Sequence, residues 1–144
     1  MYLVRAAIYD YLIADAIGTG WADNITAVYY ERAPEEAVEP YGVHNFFGGT
    51  PNDVGPGNYN GIIVDKLWQI RFFDNPHANQ NIISAAMTLV QQLFYGAIIE
   101  PAGGWRDFPM DRGNWLGDPW HETSDPESKI VNMSDWNILL TPCF

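Results

Sequence analysis

The chain has 144 residues, 47% of them apolar and 15% aromatic, and its 18 acids against 7 bases leave a formal net charge of −11. A domain of this length hides roughly 70% of the surface its unfolded chain exposes, so one core in a single domain spanning 1–144 is expected, and the apolar content argues against disorder. The acidic excess disfavours duplex nucleic acid and anionic lipid, because binding either draws on clustered Lys and Arg.

The N-terminal stretch Met1–Ile17 is interrupted by Arg5, Asp10 and Asp15 too often for a signal-peptide core. Asn75–Ile99 lacks Asp, Glu, Lys and Arg but carries Asn79, Gln80, Asn81, Gln91 and Gln92, which speaks against a membrane span. The lone cysteine, Cys143, allows no intrachain disulfide and fits a reducing compartment.

In chain order, a first helix is expected over about Tyr2–Ile17, with Gly18 ending it in a left-handed conformation. Its charges at 5, 10 and 15 fall about 140° apart on a helical wheel, so the helix should be covered on more than one side. Ile25–Glu31 and Tyr41–Phe47 read as strands flanking an acidic connection, Arg32–Glu39. Gly48–Gly61 holds five Gly, two Pro and three Asn and reads as a long loop. Ile62–Phe73 then alternates, with Trp68, Ile70 and Phe72 on one face and Gln69 and Arg71 on the other.

A second helix is expected from an N-cap at Asp74 or Asn75, with Pro76 in its first position, to about Tyr95, and Gly96 as its stop. Its broad apolar face runs from Ile82 to Phe94. The opposite stripe, Asn81, Ser84, Thr88, Gln92 and Tyr95, is polar but uncharged. A solvated face normally carries Lys and Glu, so this stripe is a candidate contact with another chain, where buried charge would be costly; a neutral solvent face is the alternative. Ile98–Met110 and Ile130–Leu140 are weaker strand candidates around a loop at Asp111–Lys129. The elements together imply an α+β fold, a mostly antiparallel sheet of four to five strands with two helices against it.

No arrangement of reactive residues stands out. Asp74 and His77 straddle a helix start without a further ligand at metal spacing. Trp120-His121-Glu122 lacks a recognisable nucleophile and reads as an aromatic turn, and Cys143 lies too near the terminus for a preorganised thiol. Pairs such as Glu35-Glu36, Asp107 with Asp111 and Glu122 with Asp125 are unspecific in so acidic a chain. Gly55-Pro56-Gly57 lacks the following Gly-Lys-Ser/Thr of a phosphate loop. No enzyme activity, cofactor or metal site is expected. The six Trp residues leave a sugar-stacking, nearly all-β carbohydrate-binding module as an alternative of a different class, with a hydrolase built on His121 behind it.

The order of features is a further guide. Leu3-Val4-Arg5-Ala6-Ala7-Ile8, then Ala27-Val28-Tyr29, an acidic Pro-containing connection, Pro40-Tyr41-Gly42-Val43, the strand Leu67–Phe73 and the Asn/Gln/Ala-containing helix Asn79–Tyr95 resemble tail terminator (tail completion) proteins of long-tailed bacteriophages. The resemblance covers roughly residues 2–97. It implies an α+β virion protein, made in the host cytoplasm, that assembles as a hexameric ring at the head-proximal end of the tail tube, stops tube polymerisation and docks the head connector. Other neck and tube proteins share the broad fold. On this reading Asn81, Ser84, Thr88 and Gln92 are subunit-interface candidates, and Gly48, Gly49, Asn52, Asp53, Gly55, Gly57, Asn58 and Tyr59 are candidates for a lumen or partner loop. The partners would be further copies of the chain, the tail-tube protein and the neck, without a tight grip on DNA and without a membrane.

Overall fold

The computed structural model describes residues 2–19, 25–53, 62–101, 103–115 and 118–141. Ten elements follow in order: α1 (Tyr2–Thr19), β1 (Val28–Tyr30), β2 (Tyr41–Asp53), β3 (Ile62–Asp74), α2 (Asn81–Phe94), β4 (Ile98–Ile99), β5 (Phe108–Pro109), β6 (Asp111–Trp115), β7 (Trp120–His121) and β8 (Ile130–Leu140). The main sheet runs β1-β2-β3-β8-β6, with β7 also on β8, and β4 and β5 form a separate pair. All pairings are antiparallel except β1 with β2. The fold is α+β, as the element pattern implies, with both helices contributing to the same core as the even-numbered residues of β3 and β8.

That core follows from alternation. Trp68, Ile70 and Phe72 of β3 and Trp136, Ile138 and Leu140 of β8 point inward, meeting Val4, Ile8 and Leu12 of α1 and Ile83, Met87, Val90 and Phe94 of α2. Trp68 and Trp136 are Cα partners, and Phe94 lies between them at ring-centroid distances of 5.2 and 6.0 Å. Each indole N–H has an acceptor, Nδ1 of His44 at 3.2 Å for Trp68 and Oγ of Ser134 at 3.0 Å for Trp136. A smaller cluster of Tyr41, Val43, Phe73 and Val131 occupies one end of the opposite, outer face.

Four expectations change. The helix expected from Pro76 begins at Asn81, because the capping side chains are consumed by turns: Asp74 remains paired in β3, Asn75 Oδ1 accepts the His77 N–H, and Asn79 Oδ1 accepts the Asn81 N–H. Gly48–Asp53 is not loop but the second half of β2. The register slips by one residue between Phe47 and Thr50, so the glycines at 48 and 49 form a β-bulge rather than a turn. Likewise 111–129 is not one loop, since β6 and β7 both pair with β8, β6 across a slip at Gly113. Finally, α1 runs through Gly18 to Thr19 rather than ending at Ile17; among its described side chains Val4, Ile8 and Leu12 are fully buried in the core and Tyr9 stacks on His44, whereas Leu3 and Ile13 are exposed.

Gly42 shows how tightly the sheet packs. A Cβ there would lie 3.0 Å from Phe72 Cε1 and 3.4 Å from Val28 Cγ2, and Phe72 is completely buried. Gly42→Val is expected to cost about 2 kcal/mol through overpacking, read as a lower urea midpoint at unchanged m-value.

Candidate assembly surfaces

Helix α2 buries Ile83, Ala86, Met87, Val90, Leu93 and Phe94. Its other side is the neutral stripe: Asn81, Thr88 and Gln92 are exposed and Ser84 half-buried. Thr88 Oγ1 donates back to the Ser84 carbonyl at 3.0 Å, and Ile82 adds an exposed apolar side chain. Among these, no side chain is charged, so the stripe can be dried at little cost.

The second surface is the outer face of the sheet, where register places three rows across β2, β3 and β8: Val43, Arg71 and Met133, then Asn45, Gln69 and Asp135, then Phe47, Leu67 and Asn137. Gln69 Nε2 donates to Asp135 Oδ1 at 2.8 Å. Two polar atoms in these rows, Asn45 Oδ1 and Arg71 Nε, are buried without a hydrogen-bond partner, a state that costs about 1–3 kcal/mol each. Phe47 and Leu139 remain 40% and 52% exposed.

At one end this face deepens into a cleft of about 550 Å³ with Arg71, Tyr41 and Phe73 in its lining and Arg32, Lys129 and Glu122 among its other residues. The Arg71 guanidinium sits 5.5 Å from the Phe73 ring centre. Burial opposes the charge of Lys129, but hydrogen bonds to Tyr41 (2.7 Å) and Glu39 (3.2 Å) outweigh it and hold its pKa above the usual lysine value. The β7–β8 hairpin that borders the cleft is fastened by His121, whose Nδ1 is 3.0 Å from the Ser128 carbonyl and so carries the proton.

A third concavity of about 410 Å³ lies between α1 and the β1 edge, lined by Arg5, Tyr9, Asp10, Tyr30 and His44. His44 is 2% exposed; burial, and secondarily Arg5, lower its pKa from 6.5 to about 4. Trp68 can only donate, so Nδ1 of His44 is the bare nitrogen and Nε2 bears the hydrogen.

The sequence candidates thus separate. The α2 stripe is contiguous and uncovered. Gly48, Gly49, Asn52 and Asp53 belong to strand β2, while Gly55, Gly57, Asn58 and Tyr59 lie outside the described residues. Among the described residues no three His, Cys, Asp or Glu side chains converge as metal ligands, and no helix is long and apolar enough to cross a membrane. Trp68 and Trp136 are core residues rather than a sugar platform, and Trp105 and Trp120 are half-buried. What sequence reasoning missed is the outer face as a surface. The alternation signal placed Arg71 opposite the core, but its neighbours Asn45 and Met133 come from other strands and depend on register.

No family model and no curated protein matches this chain. Solved structures do. A chain of the structure described as "Virion of native gene transfer agent (GTA) particle" shares the fold at a TM-score of 0.59 and 18% identity, covering 95% of this chain and 92% of that chain.

The buried histidine sets a pH dependence. Its folded value lies below the unfolded one, so as pH falls the unfolded chain takes up the proton first. The stability carried by neutral His44 is complete above about pH 6.5 and declines toward pH 4, by about 3 kcal/mol over that window. Asp74, whose pKa burial raises against the Asn75 N–H, works with the opposite sign, since its stabilisation is lost as pH rises through the raised value. His44→Gln keeps an acceptor for Trp68, and the difference between its stability–pH curve and that of the wild type is expected to isolate the histidine contribution.

Proposed function

We propose that this protein is a structural component of a phage-like virion, forming a ring at the head-proximal end of a tail tube that ends tube growth and joins tail to head. The observation that carries the reading is the fold shared over nearly the full length of both chains with a component of a gene transfer agent virion. The resemblance of residues 2–97 to tail terminators supplies the position and the six-fold ring. The surfaces agree with an assembly role: a neutral helix stripe and exposed Leu3, Ile13, Phe47 and Leu139 are features that a neighbour would cover.

Another neck or tube protein is the nearest alternative, since function lives in surfaces rather than in the fold. A carbohydrate-binding module is less well supported, because that reading calls for a nearly all-β chain and exposed Trp, whereas two helices and two fully buried Trp are present. An acidic ring would pass DNA without holding it, as each subunit sets 18 acids against 7 bases.

Purified chain is expected to form closed rings of six by light scattering and electron microscopy, and to halt growth when added to polymerising tube protein. Incorporation along the tube would make it a tube protein instead, and monomers in the presence of tube ends would overturn the ring. Duplex binding at low salt, where attraction between charges is strongest, is expected to be weaker than micromolar; salt-sensitive submicromolar binding would assign it a DNA-holding role.

A further inference from the structure

We propose that the outer sheet face of one copy receives the α2 stripe of the next, so that each subunit's helix layer covers its neighbour's sheet. The contact rests on the ring reading and specifies the surfaces that build it. The two patches lie on opposite sides of the subunit: the helices cover the face bearing Trp68, Ile70 and Phe72, whereas Arg71, Asn45 and Leu139 belong to the other. A contact between two different patches is heterologous, and its repetition closes a ring where the rotation between copies divides a full turn and runs on as a filament where it does not; the ring reading requires the former.

The chemistry of the two patches matches. The sheet face presents the half-buried side chains of Asn45 and Arg71 and, beyond them, exposed Asn137. The stripe brings the amides of Asn81 and Gln92 and the hydroxyls of Ser84 and Thr88, which both donate and accept. Neither Arg71 nor Arg32 has a carboxylate partner among the described residues, and the stripe adds none, so neutral oxygen acceptors suit a half-buried guanidinium without a second charge having to be desolvated. The apolar positions correspond too, with exposed Ile82 on α2 and exposed Phe47 and Leu139 on the sheet. The lengths agree: Asn81 to Gln92 spans about 16 Å of helix, and the rows from Arg71 to Asp65 span about 20 Å of strand. Arg32, Glu122 and Lys129 flank the deep end as a charged rim.

A charge cycle on the full chain tests this, with ring formation followed by sedimentation velocity across protein concentrations. Thr88→Lys sets a cation against Arg71 and is expected to weaken assembly about tenfold or more, as is Arg71→Glu, which removes the donor. Combining them creates a pair and is expected to restore assembly above either single variant. Thr88→Glu, facing the native Arg71, is expected to retain the ring. Thr88 is exposed, so its variants leave the fold intact; if Arg71→Glu lowers the monomer's melting temperature, Arg71→Gln takes its place, and Thr88→Lys is then expected to assemble better on the Arg71→Gln background than on the wild type. A double variant no better than its weaker single, or rings indifferent to both singles, would overturn this contact while leaving the ring reading in place. A wild-type chain that never assembles would overturn the ring and the contact with it.

Discussion

Two completely buried indoles facing each other across the central strands set the terms for this molecule. An indole N–H left without an acceptor in a dry core costs about 1–3 kcal/mol, so Trp68 and Trp136 require inward-facing acceptors, which His44 and Ser134 provide. Burial keeps His44 neutral, and the hydrogen bond from Trp68 fixes its tautomer. The pair also leaves a slot that Phe94 fills, which anchors the last turn of α2 over the β3–β8 seam. Tyr11 of α1 packs on Phe94 with ring centres 5.4 Å apart, so the ring-to-ring chain runs from sheet to second helix to first helix.

The same arrangement exhausts the helices on one side of the sheet. A sheet with apolar residues on both faces needs two layers of cover, and among the described residues the outer face has its own small cluster at the Tyr41–Phe73–Val131 end. The remainder grades from half-buried Arg71 and Met133 to exposed Asn137 and Leu139. For a monomer that gradient is a liability. For a subunit among copies of itself it is an unfinished layer, and a helix stripe with no charge to desolvate is the element suited to finish it.

Much of this was legible in the sequence. Alternation located β3 nearly residue for residue, the weaker candidate Ile130–Leu140 coincides with β8, and Gly96, at a φ of 75°, does end the second helix region. The errors in the strands share one cause. Glycine signals turn or bulge depending on whether a partner strand is present, and the partners of Gly48, Gly49 and Gly113 lie far away in the chain; composition favoured turns, and pairing made them bulges. The start of α2 failed because Asn75 and Asn79 each bond a backbone N–H two residues on, the local competition that makes Asn a turn former as well as a cap. The stripe on α2 could be read from one helix alone. The surface proposed to receive it could not, because its rows exist only once three strands are in register.

The bulge in β2 bears on solubility. Strand β1 pairs only with Gly42–His44, so among the described residues the edge of β2 from Asn45 onward meets no strand. An uninterrupted edge of that length is a template onto which stray strands can add in register. The slip at Gly48–Gly49 breaks the spacing of its free N–H and C=O groups, so an incoming strand that matches one half is out of step with the other. The bulge thereby makes this backbone edge a poor template for indiscriminate growth.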